Sequence, residues 1–418
     1  MSRRKRTGKK RTYAQKLLGV IMLFYFLAFI TLFLSDYNYQ ALILSAAVPL
    51  LVFISARGLP RLFPGDRLLM SLTGFLTSLG VLILYRLSPE RGIDQLVNYG
   101  FAVAAMLLCT AAVRLISDWR LPALALIPAS LLLLALPLVF GSEINGARNW
   151  VTLMGFGFQP SEIVKLCLAV SLSWLLSRRK LVWSILLTGA CLVMLMLQKD
   201  LGTALLYFAM AISVMYASTG SYLLLGAGVL SGAAASVIGY RMFAHVKKRI
   251  AVWRNPWADR QGSGYQIVQG LIAIANGGIW GTGLKLGNPG VIPASYNDYI
   301  FIVICHEFGG LFGLVVLGIY LAIIFRGISI ARQASTSFHG MLALCCTVML
   351  GIQTFVIVGG NIKLIPLTGV TLPFISYGGT SLVSSLCLIG LLQGVAARNR
   401  AELDEAKRLA MYEGEDEL

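Results

Sequence analysis

Charge is what this chain has least of. Asp, Glu, Lys and Arg together make up 13% of 418 residues, with 18 acids and three histidines. A soluble chain of this length needs more charge to cover its surface, so the bilayer is the first solvent to consider. The acids are also unevenly placed. Glu402, Asp404, Glu405, Glu413, Glu415, Asp416 and Glu417 crowd the C-terminal tail and leave few for the rest. Strand-like alternation in segments of roughly ten residues is missing, which excludes a membrane β-barrel. Metal-like spacing is missing too. Cys109, Cys167, Cys191, Cys305, Cys345, Cys346 and Cys387 lie in or at the ends of apolar runs, with no histidine in register. They read as small apolar packing residues, implying neither a disulfide framework nor a zinc site.

What the chain does have is long apolar runs: 57% of it is hydrophobic and its mean hydropathy is +0.77. A transmembrane helix needs roughly 20 mostly apolar residues. About twelve segments qualify: 17–34, 41–57, 68–86, 96–117, 121–140, 161–177, 181–198, 201–218, 221–240, 301–326, 338–360 and 374–396. The expected fold is an all-α polytopic membrane protein. The first run is not a cleavable signal peptide, because no small-residue cleavage site follows Leu32 and Asp36-Tyr37 leads into another span.

Cations orient the chain. Arg3, Arg4, Lys5, Arg6, Lys9, Lys10, Arg11 and Lys16 place the N-terminus in the cytoplasm, where anionic headgroups attract it. Alternate loops agree, and an even span count returns the C-terminus to the same side. The net charge of +17 does not imply nucleic acid, since the excess sits in tails and membrane-flanking loops. The exception is 241–300, expected to face outward yet carrying Arg241, Lys247, Lys248, Arg249, Arg254, Arg260 and Lys285. Its basicity suits an anionic ligand. The expected organisation is a basic tail (1–16), an additional helix pair (17–60), a membrane core (61–396) and a cytoplasmic tail (397–418). In that tail, Leu403, Ala406, Leu409 and Ala410 suggest either a short interfacial helix or a frayed end. Turn-formers mark 141–160, with Asn145-Gly146, and 241–300. Segment 359–380, with Pro366 and Pro373, reads as a re-entrant element lining an outward-facing cavity.

Ionisable groups at membrane depth are costly, and function is their default reading. Glu162 and Lys165 share a helix face after Gln159-Pro160-Ser161. They either neutralise one another or leave Lys165 to meet an anionic headgroup. Asp200 is a natural N-cap. Asp298, at the end of the basic loop, is equally suited to capping and to acting as a general base. His306 and Glu307 follow about two turns later.

Seven segments now match one family in order: Tyr85-Arg86-Leu87-Ser88-Pro89-Glu90-Arg91 with Gln95; Asn145-Gly146-Ala147-Arg148-Asn149-Trp150; Phe158-Gln159-Pro160-Ser161-Glu162 with Lys165; Gln198-Lys199-Asp200-Leu201-Gly202-Thr203; Gly264-Tyr265-Gln266 through Gln269 to Ile272-Ala273-Ile274; Asn297-Asp298-Tyr299-Ile300-Phe301; and Leu372-Pro373-Phe374-Ile375-Ser376-Tyr377-Gly378-Gly379. The chain resembles the SEDS (shape, elongation, division and sporulation) proteins, the FtsW/RodA/SpoVE group, over roughly residues 80–395. The resemblance implies a peptidoglycan glycosyltransferase acting on lipid II in the bacterial plasma membrane with a class B penicillin-binding protein. It places the family's catalytic aspartate on Asp298 and its cavity cations on Lys165, Arg249 and Arg91. It makes Glu162, Asp200, Gln266, Glu307, Ser376 and Tyr377 further cavity candidates. It leaves room for a divalent cation, Mg or Mn. Gly157 stands where some relatives have a cation, which makes Arg148 a substitute. Lys199 stands in place of proline, Tyr296-Asn297 in place of histidine and threonine, and His306 in place of a small or acidic residue. The Tyr85–Glu90 segment and the extra helix pair lean toward RodA-like members, without deciding between elongation, division and sporulation. Two other functions compete: a lipid II flippase, which needs the cavity and cations but no base, and a non-catalytic activator of a penicillin-binding protein. Retention of Asp298, Arg249 and Lys165 favours the polymerase.

Overall fold

Runs of Leu, Val, Ala and Gly too apolar for water fold into helices, because a helix satisfies every backbone N–H and C=O internally. The computed structural model describes residues 13–58, 61, 65–144, 146–153 and 155–416; the basic cluster before Tyr13 and Asn145 of the expected turn lie outside them. The helices are α1 (Tyr13–Asp36), α2 (Tyr39–Phe53), α3 (Arg67–Leu87), α4 (Pro89–Leu115), α5 (Arg120–Phe140), α6 (Pro160–Ser177), α7 (Leu181–Leu197), α8 (Leu201–Thr219), α9 (Tyr222–Met242), α10 (Ala244–Arg254), α11 (Tyr265–Gly277), α12 (Ile300–Arg332), α13 (Ser337–Asn361) and α14 (Gly379–Asp416). Among the described residues eleven are long and apolar enough to span a bilayer, and α7, at 17 residues, is the short twelfth. The protein is a multi-pass membrane protein of the expected all-α kind.

Helix starts follow from local chemistry. Asn38, Asp66, Asp200, Ser221 and Thr336 accept hydrogen bonds from first-turn N–H groups. Pro89 and Pro160 occupy the first turns of α4 and α6, where a missing N–H costs nothing.

The bundle is built around α3, 89% of whose apolar stretch is buried; α9, at 6%, lies at the periphery. Small residues allow this close approach. A Cβ on Gly80 would lie 2.7 Å from the Ile375 carbonyl oxygen. The α3 hydroxyls of Ser71, Thr73 and Thr77 donate to carbonyls one turn back, so their burial leaves no open donor. Ion pairs at the two ends of α3 fix its register against α12: Arg86 with Glu307 at 2.8 Å, and Asp66 with Arg326. The N-terminal pair α1–α2 leans on this core. Tyr25 donates to the Phe75 carbonyl, and Phe24 stacks on Phe312.

Three features differ from the sequence reading. Segment 141–160 is a small antiparallel sheet, β1 (Ser142–Ile144), β2 (Ala147–Leu153) and β3 (Phe156–Phe158), in the order β1-β2-β3. The alternation in Asn149-Trp150-Val151-Thr152 sustains it. The C-terminal tail has no separate interfacial helix: α14 runs unbroken to Asp416, with no proline or glycine between Gly394 and Gly414 to stop it. Finally, α12 is kinked at Gly309 (φ 87°, ψ 163°). The loop at 278–283 fills the break. Thr282 and Gly283 N–H donate to His306 and Glu307 carbonyls, while Gly310 and Leu311 N–H donate to Gly278 and Ile279. Ile300–Phe308 therefore forms a largely buried arm distinct from the rest of α12.

Segment 362–378 is non-helical, as Pro366 and Pro373 require, and protein encloses its middle: Leu372, Phe374 and Ile375 are buried.

Candidate active site

Asp298 sits two residues before α12, and its backbone is held from three directions. Asn361 Nδ2, at the end of α13, donates to the Asp298 carbonyl at 2.6 Å. Ser376 Oγ donates to the Asn297 carbonyl at 2.7 Å, and Tyr377 N–H to Tyr296 O at 2.9 Å. Gln95 of α4 donates in turn to the Ser376 carbonyl at 3.2 Å. The backbone is thus fixed while the side chain is left alone. Asp298 is not the N-cap that its position allowed; Tyr299 occupies that place, without a side-chain capping bond. The half-buried carboxylate has no hydrogen-bond or ion-pair partner among the described residues. Burial raises its pKa to about 6, against the opposing pull of Arg249.

Arg249 comes from α10, the basic helix. Its Nη1 donates to the Thr368 carbonyl at 2.9 Å, and Trp253 one turn on donates to Lys363 O at 3.0 Å. These two bonds dock α10 on the non-helical segment. Between the charges lies Gly369, at φ +77°. A Cβ built there would be 3.6 Å from Arg249 Nη2 and 4.0 Å from Asp298 Oδ2. The carboxylate and guanidinium therefore border one gap that a glycine keeps open. His245 of α10 has its pKa lowered by burial, with Arg249 and Lys199 adding repulsion.

The remaining candidates fall into separate groups. Lys165 is 3% exposed. Its Nζ lies 2.5 Å from Glu162 Oε2 and donates to Gln353 Oε1 at 3.2 Å, so the ion pair expected from their spacing is formed. Ser384 Oγ donates to the same Glu162 oxygen. Gln353 also donates to Thr371 O at 2.9 Å, linking this buried centre to the segment that carries Gly369. Arg91 lies over the Tyr296 ring at 3.7 Å and within 6.0 Å of Tyr377, behind the Asp298 backbone. Tyr377 donates to Asp94 at 3.4 Å.

Asp200 caps α8 and accepts from Asn149, Gln159 and both donors of Thr203, so its oxygens are saturated. Arg148 is exposed, with its N–H on Gln198 O. Gln266 donates to Pro293 O at 3.3 Å, and Glu307 is occupied by Arg86. No group of three His, Cys, Asp or Glu fit for a metal occurs among the described residues. A Mg-type ion binds through one or two carboxylates plus substrate phosphates, and Asp298 offers one.

The sequence reading missed Asn361, Gln353 and Gly369. The signal for the first two was an amide inside a long apolar run, where polar groups are costly. Gly369 was one glycine among 43.

Comparison with known proteins agrees with this architecture. The family model for FtsW/RodA/SpoVE, described as cell cycle protein, matches residues 66–401. "Peptidoglycan glycosyltransferase RodA" of Mycobacterium tuberculosis is 34% identical over 330 residues, covering 74% of this chain and 66% of that protein. The chain thus spans just under two thirds of the length of that relative. "Probable peptidoglycan glycosyltransferase FtsW" of Geobacter metallireducens is 32% identical over 360 residues, covering 80% and 95%. A solved chain of a peptidoglycan synthase complex superposes with a TM-score of 0.67 at 28% identity, covering 80% of this chain and 98% of that one. With the family model matched along most of its length and the polytopic fold shared, the chain belongs to the FtsW/RodA/SpoVE family.

Proposed function

We propose that this protein polymerises lipid II into glycan strands, with Asp298 as the general base. The observation that carries the reading is an unpartnered carboxylate of raised pKa, its backbone pinned, bordering the same gap as a guanidinium. In glycosyl transfer the acceptor sugar's 4-hydroxyl oxygen attacks the donor's anomeric carbon. The new C–O bond forms as the bond from that carbon to the pyrophosphate oxygen breaks. Asp298 takes the hydroxyl proton, and undecaprenyl pyrophosphate leaves with the bonding pair. A base titrating near pH 6 is ionised at neutral pH and still basic enough to work.

Arg249 stabilises charge building on the leaving pyrophosphate. Lys165, neutralised by Glu162, holds the wall of the cavity in shape. A divalent cation, if bound, would supply further charge neutralisation at the pyrophosphate, with Asp298 as its one carboxylate ligand.

In this reading the protein lies in the bacterial plasma membrane, with both termini cytoplasmic and Asp298 facing outward. A class B penicillin-binding protein crosslinks its product. The helix pair at 17–60 is an addition to a core at 61–396. The test is purified protein given labelled lipid II, with and without that partner. The proposal expects glycan polymer on a gel; none, from a preparation shown to bind lipid II, contradicts it.

A further inference from the structure

A half-open pocket lies beside the arm at the start of α12. It measures about 270 Å³ and lies between α11 and the loop at 282–292. Its helix wall, α11, also packs on the arm: Gly270, one residue from the lining Gln269, meets the ring of Tyr299, the neighbour of Asp298. His306 lines it and is only 6% exposed. The histidine Nδ1 faces the Ala273 carbonyl at 2.9 Å. A carbonyl only accepts, so Nδ1 carries a proton, and Nε2 has no partner among the described residues.

Gly287 packs closely against that nitrogen and leaves no room for a side chain. A Cβ there would lie 2.7 Å from His306 Nε2 and 2.8 Å from Thr282 Oγ1. The glycine is itself held by Arg86, whose Nη2 donates to its carbonyl at 2.9 Å. The remaining polar lining is neutral: the amides of Gln269, Asn276 and Asn288, none bonded to another described residue. Ile272, Leu286, Val291 and Ile292 complete the wall. No carboxylate, ammonium or guanidinium lines the space.

This lining offers no fixed charge to a phosphate or a cation. Amides and one imidazole nitrogen against an aliphatic wall suit hydroxyl and acylamino groups on an apolar ring. The volume falls just below the roughly 300–1,000 Å³ typical of small-molecule sites, which suits one sugar residue better than two. We propose that this pocket is a saccharide subsite that takes a single N-acylated sugar residue, about two helical turns along the arm from Asp298. The inference rests on the polymerase reading for its biological ligand. The sugar would belong either to the nascent glycan or to incoming lipid II.

The test separates the inference from that reading. The probe is a soluble β-1,4-linked N-acetylglucosamine tetramer, titrated into the full chain in nanodiscs by saturation-transfer NMR. Wild type and Asp298→Asn are expected to bind it equally. Gly287→Val, whose side chain would force the loop and the His306 ring apart, is expected to weaken binding at least tenfold. Asn276→Ala and Gln269→Ala remove groups without internal bonds, so they keep the fold intact; each is expected to weaken binding severalfold.

With lipid II, shorter strands at an unchanged initial rate would assign the cavity to the nascent glycan. A raised KM at unchanged strand length would assign it to the incoming substrate. Tetramer binding lost on blocking, in a protein that makes no polymer, would keep the subsite and remove the polymerase reading. Failure of wild type to bind the tetramer, or equal binding by Gly287→Val and Asn276→Ala, would overturn the subsite.

Discussion

Asp298 and Arg249 form the most informative pair because they are close without being bonded. Their coupling makes a pH prediction with a definite sign. Burial raises the Asp298 pKa to about 6, and Arg249 holds it below where burial alone would put it. A base must be ionised, so activity is lost as pH falls through that value. The wild-type pH–rate profile should bend down near pH 6. Arg249→Gln removes the opposing pull, so the bend should move to higher pH and the rate at neutral pH should fall. An unmoved bend would mean another group sets it. Glu162 and Lys165 behave differently because they are paired, Lys165 buried and Glu162 partly so. Lys165→Met alone strands the carboxylate, at a cost of about 3–5 kcal/mol. The double change Glu162→Gln with Lys165→Met should recover much of that loss, as read by thermal unfolding in detergent.

At the scale of elements, the sequence foretold the helices well and their interruptions poorly. Apolar length alone locates the spans, and Pro366 and Pro373 announce the non-helical segment between α13 and α14. The kink in α12 was hidden. Gly309 lies in an unbroken apolar run, and glycine is common in membrane helices. Only the loop at 278–283, remote in sequence, shows why a glycine is needed there. A Cβ on Gly309 would meet the Ile279 oxygen at 2.2 Å, and the residue's φ of +87° disfavours any side chain. Gly309→Ala should therefore lower the unfolding temperature by several degrees and reduce activity with it, since the arm carrying Asp298 hangs from this joint. An alanine variant as stable and active as wild type would show the joint to be dispensable. The small sheet at 142–158 escaped for a related reason: its turns dominated the local pattern, and its strands are short.

At the scale of the molecule, ordered motifs made the family legible, while the arrangement of its charges stayed hidden. Sequence spacing gave the Glu162–Lys165 pair but not its link to the segment that carries Gly369, because that link runs through Gln353 and Thr371 on other segments. It named Asp298 and Arg249 separately, 49 positions apart, and could not show that Gly369 brings them to one gap. The same holds for Asn361 and Ser376, whose bonds to the Asp298 segment come from distant turns. Local chemistry sets caps and spans; only packing sets the site.

The most direct measurement is the single-turnover rate of glycan bond formation by wild type and Asp298→Asn on labelled lipid II, at equal folded concentration and saturating substrate. Removing a placed base typically costs about 10²–10⁴-fold. A loss of that size with lipid II binding retained is the predicted result; equal rates would remove Asp298 as the base and contradict the account.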